Sequence, residues 1–199
     1  FFGLTSAQTL KIAQGLYEKK LITYPRTESK HLPAAFAKTI EDNIRSLANL
    51  NGYQEVVKNI LSNKSQIEYV RHSKRYVDDK KLTDHHAITV TDVAIGKKKL
   101  TADELKIYHL IARRLLSIFL PPYVIDKTAV VLQSGEHFFK ANGITVIDRG
   151  YTVLYEGFNK KNERPLPMLQ INMELPIRQA EVLSKMTEPP QRYTDSTLL

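Results

Sequence analysis

The proline pair Pro121-Pro122 divides this 199-residue chain into two parts with different hydrophobic periods. Before it, apolar residues recur every three or four positions, the spacing that gives a helix one buried face. After it the period drops to 2, which sends alternate side chains to opposite faces of a strand. Proline rings lack the N–H that a helix needs to continue, so a helix arriving at Pro121 must stop. The expected fold class is therefore α+β: a mainly helical domain followed by a small antiparallel β region.

Helix signals are placed at intervals along the first part. Thr5 with Gln8 makes a capping box, and Leu10, Ala13, Leu16 and Tyr17 then share one face, which predicts a helix over 6–19. Residues 21–24 are too short and too apolar for anything but an extended segment. Pro33 suits the first turn of a second helix, carried by Phe36, Ile40, Ile44 and Leu47 and ended by Asn51-Gly52. A shorter helix over about 53–61 buries Val56, Val57 and Ile60, and 62–65 reads as a loop. Thr101 and Glu104 form another capping box, and the helix they open runs to about Phe119, with Arg113 and Arg114 in its middle.

Past Pro122, strands are expected over 124–133, 137–141, 144–147 and 151–155. Ser134-Gly135, Asn142-Gly143 and Arg149-Gly150 read as the turns between them. Residues 159–167 read as a polar linker, and 168–176 fit one further strand. The domain reading is 1–122, helical; 123–158, antiparallel β; and 159–199, a linker and the start of another helical domain. Both ends read as cut, since the chain starts without Met against a helix cap and stops where a new helix begins.

Charge narrows the partner. Lys and Arg number 29 against 21 Asp and Glu, a formal net charge of +8 and a pI near 9.5. That excess favours a polyanion, with nucleic acid ahead of an anionic membrane because no basic amphipathic helix or lipidation motif is present. The stretch 71–81 concentrates basic residues with Tyr69 and Tyr76 interleaved. That mixture suits a phosphate backbone with bases stacked on rings, or equally a solvated basic loop. With no cysteine there is no disulfide and no Cys-ligated zinc. No signal peptide and no apolar run of about 20 residues is visible, so a cytoplasmic location is expected.

The stretch Leu21-Ile-Thr-Tyr-Pro-Arg-Thr-Glu-Ser29 carries the chemistry. Tyr24 ends an apolar run, Pro25 stiffens the turn after it, and Arg26 follows. A phenol has a pKa of about 10, so a nucleophilic tyrosine needs a cation nearby, and Arg26 supplies one. Taken alone, Tyr-Pro-Arg is an ordinary surface turn. A second informative stretch is Leu82-Thr-Asp-His-His-Ala-Ile88. Adjacent histidines point apart and no i+4 partner completes a ligand set, so they do not read as a metal site. A protonated imidazole there can donate to a phosphate or relay a proton.

Leu16-Tyr17-Glu18 with residues 21–29, followed by the histidine motif over 81–88, resembles the active-site region of type IA DNA topoisomerases. Pro25 and Leu32-Pro33 resemble the topoisomerase III branch more than the topoisomerase I branch. The sequence departs from the family at Thr89-Val90, where an apolar residue and a proline commonly precede Thr91. The stretch 187–196 resembles a further family segment, in which Arg192 and hydroxyls open a DNA-contacting helix capped by Thr194 or Asp195.

The resemblance implies several things. The chain is part of a larger toroidal enzyme, with its β region in an arch that suspends the tyrosine domain. Tyr24, Arg26, His85 and His86 are the implied catalytic residues, and Arg26, Arg75, Lys81, Arg192 and Thr194 the implied DNA contacts. Tyr24 attacks a single-stranded DNA phosphodiester, forms a transient 5′-phosphotyrosine, and religation follows strand passage without ATP. The partners are DNA and the remaining domains of the same enzyme, with no membrane and no small-molecule substrate. The location is the bacterial cytoplasm, on nucleoid or plasmid.

The family also uses Mg2+ held by an acidic fold of the Toprim type. No such acidic cluster is legible here, so no metal residue is assigned and the isolated chain is expected to be inactive. A non-catalytic basic DNA-binding module is the alternative; it explains the charge but not the joint order of the tyrosine and histidine motifs. A tyrosine recombinase fits poorly, because its arginines and histidine precede the tyrosine, whereas Tyr24 lies near the start.

Overall fold

The computed structural model describes residues 2–96, 98–155 and 163–198. The chain separates into two units, Phe1–Val124 with Asp148–Lys160, and Ile125–Ile147 with Lys161–Leu199. The first is helical and the second holds a β-hairpin, so the fold class is α+β.

In the helical unit, α1 (Ser6–Glu18) starts at the expected capping box: Thr5 Oγ1 accepts from Gln8 N, and Gln8 Oε1 accepts from Thr5 N. Its end falls where the sequence put it, with Lys19 as the C-cap. Lys20 takes a left-handed φ of 60°, its N–H donates to Tyr17 O at 2.7 Å, and Leu21 N donates to Leu16 O at 3.0 Å. This is a Schellman closure with lysine where glycine is usual. It drops the buried Leu21 back onto the buried Leu16 and aims the chain toward Tyr24.

Helix α2 (Ala34–Arg45) takes Pro33 as its N-cap. It ends earlier than the expected Asn51-Gly52, because Ser46 turns its hydroxyl to Asn43 O and Thr91 O. Leu47 is still buried, but in the turn that follows. Helix α3 (Gln54–Ser62) agrees with its expected span. The supposed loop over 62–65 is instead the junction to a helix not foreseen, α4 (Lys64–His72). Asn63 caps it by accepting from Gln66 N at 3.2 Å, and Ile67 and Val70 bury its inner face. Helix α5 (Ala102–Ser117) begins at the Thr101–Glu104 capping box and packs against α1.

The core gathers Leu16, Leu21, Ile22, Ile40, Ile44 and Val90 with residues of α3 to α5, all essentially without exposure. Each such aliphatic side chain contributes roughly 1.5–3 kcal/mol through burial. Two charged clusters tie helices together. Glu41 accepts from Lys64 at 2.7 Å and from Arg71 at 3.2 Å, joining α2 to α4. Glu104 accepts from Lys19 at 2.6 Å, joining the end of α1 to the start of α5.

A 3₁₀ segment at Gly150–Tyr155 replaces the strand expected over 151–155. It docks on the end of the α5 region, with Tyr151 N donating to Pro121 O at 2.8 Å. Gly150 has φ +44°, and a Cβ there would lie 2.2 Å from Pro122 O, so only glycine fits. The expected 123–158 β domain differs accordingly, since its last part groups with the helices.

In the second unit, β1 (Val124–Ser134) and β2 (His137–Asp148) pair as one hairpin, Gly135 turning at φ +59°. Asn142-Gly143 is not a turn; it runs inside β2. Gly143 is there for close approach, because a Cβ would meet Leu166 Cγ at 2.8 Å. Beside it, Ile144 and Arg164 exchange backbone hydrogen bonds of 3.0 and 3.1 Å. The strand expected over 168–176 is absent among the described residues: Asn172 has φ 64° and Met168 is 98% exposed. An extended segment with no neighbour leaves its backbone groups unpaired, so alternation alone does not make a strand. The expected linker over 159–167 lies partly outside the described residues. A four-residue helix, α6 (Asp195–Leu198), follows Thr194, whose carbonyl accepts from Thr197 N and Leu198 N at 3.0 Å.

Candidate active site

The tyrosine stretch and the histidine stretch, some 60 residues apart, are neighbours in the fold. Ile22 and Val90 face each other in an antiparallel bridge, flanked by Thr23 N to Thr89 O at 2.9 Å and Thr91 N to Leu21 O at 3.1 Å. In such a pair the bonds fall on the flanking residues, so Val90 has no ladder bond to lose. That explains why valine can stand where the family commonly has proline: either residue serves. The carbonyl of Val90 is bound instead by the buried Asn43, whose Nδ2 donates at 2.9 Å.

Two threonines lock the segments together. Thr23 Oγ1 donates to Ala87 O at 3.1 Å and accepts from Thr89 N at 2.9 Å. Thr27 Oγ1 donates to His85 O at 3.2 Å and accepts from Ser29 N at 3.1 Å. On the far side, Leu32 and Val77 form a parallel bridge, with Leu32 N donating to Tyr76 O at 2.8 Å. The strip carrying Tyr24 is thus held along both edges. Neither threonine was singled out in the sequence, although the pattern Thr-Tyr-Pro-Arg-Thr sets hydroxyls on both sides of the tyrosine.

Tyr24 is half-buried and sits between two rings. His85 lies over it at a centroid distance of 4.4 Å with planes tilted 44°, and Tyr17 meets it edge-on at 5.3 Å. The Tyr24 hydroxyl makes no hydrogen bond among the described residues. Arg26, on the same turn, is exposed and likewise makes no hydrogen bond or ion pair there. His86 points elsewhere: its Nδ1–H donates to Ala87 O at 2.9 Å and its ring packs on Phe36 at 5.8 Å. The structure therefore brings His85 to Tyr24, keeps Arg26 nearby in solvent, and turns His86 away.

The remaining sequence candidates are dispersed. Arg75 is exposed and stacks over Tyr76, 5.5 Å from the ring centroid; Lys81 is exposed at the end of a 3₁₀ turn, Asp79–Lys81. The basic stretch over 71–81 is not one loop. Arg71 and His72 finish α4, and Arg71 is engaged by Glu41 and Glu68. Arg192 and Thr194 are exposed in the second unit.

No group of three or more His, Asp or Glu side chains among the described residues is placed to hold a metal. Asp78 caps Lys80 N, Asp79 accepts from Ala34 N, and Glu41 is saturated by cations. These carboxylates do not fit Mg2+.

A family model described as DNA topoisomerase matches residues 1–199. The chain belongs to the type IA DNA topoisomerase family. Its topoisomerase III-like character agrees with its relatives. It is 33% identical to DNA topoisomerase 3 of Bacillus subtilis (strain 168), over all of this chain and 27% of that protein. It is 30% identical to DNA topoisomerase 1 of Alkalihalophilus pseudofirmus, again over 100% of this chain and 27% of that protein. The chain thus spans about a quarter of the length of the curated relatives it matches. Among solved structures, full-length topoisomerase I from Thermotoga maritima shares the fold, with a TM-score of 0.54 and 24% identity over 85% of this chain and 26% of that one. No helix among the described residues is long and apolar enough to cross a membrane.

Proposed function

We propose that Tyr24 is the nucleophile of a DNA strand-passing reaction carried out by the enzyme to which this chain belongs. The observation that carries the reading is the pairing of a Tyr-Pro-Arg turn with a distant histidine motif, whose His85 ring stacks on Tyr24 at 4.4 Å. The phenol oxygen bonds to phosphorus of a single-stranded DNA phosphodiester, and its proton leaves. The bond from phosphorus to the 3′ oxygen breaks, that oxygen takes a proton, and the DNA is linked to Tyr24 through its 5′ phosphate. After a strand has passed through the gap, the 3′ hydroxyl attacks the phosphotyrosine and restores the phosphodiester. One ester replaces another, so no ATP is required.

The residues take distinct roles in this proposal. Arg26, uncommitted to any carboxylate, forks onto the phosphate oxygens as charge builds in the transition state. His85 steadies the phenol ring and offers an imidazole N–H to the same phosphate. His86, bound to a carbonyl and packed on Phe36, orients that turn rather than touching DNA. Arg75, Lys81, Arg192 and Thr194 are assigned to the DNA backbone, which the +8 net charge favours. The Mg2+ implied for the family belongs, in this reading, to acidic residues elsewhere in the enzyme. The working location is the bacterial nucleoid or a plasmid.

The test is Tyr24→Phe in the full-length enzyme. Relaxation of negatively supercoiled DNA should disappear while single-stranded DNA binding stays within about twofold. Unchanged relaxation would overturn the assignment and favour the non-catalytic binding module. The 199-residue chain alone, given Mg2+ and supercoiled plasmid, is expected to leave the plasmid unrelaxed.

A further inference from the structure

Behind the tyrosine strip lies a cavity of about 70 Å³ that the reaction above does not use. Lys30, six residues past Tyr24, and Arg114, on the outer face of α5, both line it. Both cations are exposed, and neither forms an ion pair with any carboxylate among the described residues. Among the described residues no Asp or Glu lines the cavity; its walls include Leu32, Ala87, Ile88 and Leu115. Elsewhere in the same unit many basic side chains are neutralised, as with Lys19, Arg45, Lys64 and Arg71. Two cations without a carboxylate partner on the rim of one cavity make an anion the complementary guest.

A second, independent feature points the same way. Thr89 lines the cavity, is only 4% exposed, and its Oγ1 has no hydrogen-bond partner among the described residues. Buried hydroxyls are almost always bonded, so an orphan beside a cavity marks an absent partner. A rotation about χ1 turns that hydroxyl toward a guest. A volume of about 70 Å³ accepts a few waters or one phosphate group.

We propose that the Lys30–Arg114–Thr89 cavity is a phosphate-binding pocket that takes a backbone phosphate of the DNA strand, distinct from the phosphate attacked by Tyr24. This rests on the reading of DNA as the partner. Lys30 and Arg114 neutralise the phosphate, Thr89 donates to one oxygen, and the apolar walls receive the adjoining sugar. The pocket shares its backbone strip with the nucleophile, so a strand seated there is held in register with Tyr24.

The test compares the wild-type chain with the double variant Lys30→Gln/Arg114→Gln, both positions being exposed and structurally undemanding. In one arm, inorganic phosphate is titrated against chloride at matched ionic strength, and the backbone amide signals of residues 87–89 are followed by NMR. In the other, binding of a labelled single-stranded oligonucleotide is measured from low to moderate salt. Amide shifts should appear in the wild type and vanish in the variant, and the slope of log affinity on log salt should fall by about 0.7 for one lost phosphate contact.

Amide shifts with an unchanged slope would mean that the pocket takes free phosphate, overturning the assignment to the strand. The absence of both effects would overturn the pocket. If the wild type binds no oligonucleotide, the DNA reading fails with the strand assignment, while the NMR arm still decides the pocket. Tyr24→Phe should leave both arms unaltered, so failure of the nucleophile assignment is read separately, by relaxation.

Discussion

Replacing Thr23 by valine tests whether the contact between the tyrosine and histidine stretches is made by side-chain hydrogen bonds or by packing alone. The two side chains have nearly the same shape and both are β-branched, so the extended backbone is unaffected. What changes is polar. The hydroxyl donates to Ala87 O at 3.1 Å and accepts from Thr89 N at 2.9 Å, and Thr89 is buried. Losing the hydroxyl leaves the buried Thr89 N–H unpaired, at roughly 1–3 kcal/mol for a group that water cannot reach, while Ala87 O keeps its bond from His86 Nδ1.

Because one buried donor is orphaned and Ala87 O stays bonded, the net loss should be about 2 kcal/mol. For a chain of this size that corresponds to a fall in Tm of about 4–8 °C. Thermal unfolding followed by circular dichroism reads the shift. Thr23→Ser, which keeps the hydroxyl, should lose only about 0.5 kcal/mol. The NMR signals of the His85 ring should also move toward values free of Tyr24 ring current in the valine variant alone. A valine variant melting within 1 °C of wild type, roughly 0.3 kcal/mol by the same conversion, would refute the reasoning.

Other outcomes follow from the same geometry. Lys20→Gly should stabilise the chain by about 0.5–1 kcal/mol in urea unfolding, since glycine takes the left-handed φ of 60° at lower cost. Gly150→Ala should destabilise it by more than about 2 kcal/mol, because the added methyl meets the carbonyls of Pro121 and Pro122 and the φ is positive. Glu41 and Glu104 have carboxyl pKa values held below the ordinary 4.5, chiefly by the hydrogen bonds from Lys64 and Lys19 respectively. A depressed folded-state pKa gives stability that is present above the unfolded value and disappears as pH falls through the folded one. Stability should therefore drop as pH descends below about 4.5, and Glu104→Gln should flatten that drop when Tm is plotted from pH 6 to 3.

Some of this protein is determined by sequence alone, because the relevant forces act over a few residues. Capping boxes at Thr5 and Thr101, the stop at Pro121-Pro122 and the helical faces of α2 and α5 are local, and the structure agrees with each; of the expected α1 face it buries Ala13 and Leu16 but leaves Leu10 and Tyr17 exposed. The family was also legible, because the tyrosine and histidine motifs occur in a fixed order. Tertiary structure decided what depends on a distant partner. Helix α4 escaped notice because its short apolar face, Ile67 and Val70, has meaning only against the core.

Gly143 and Gly150 looked like turns but are sites of close approach, a distinction that needs the neighbouring chain in place. The stretch over 168–176 has a strand's alternation and no strand beside it among the described residues. At the site, the sequence named His85 and His86 as equals. Only the fold separated them, by fixing the backbone between Thr27 and Thr23 so that one imidazole meets Tyr24 and the next, facing the other way, meets Phe36. Adjacent residues on an extended strip point to opposite sides, and which side carries the chemistry depends on the partner segment that pins it.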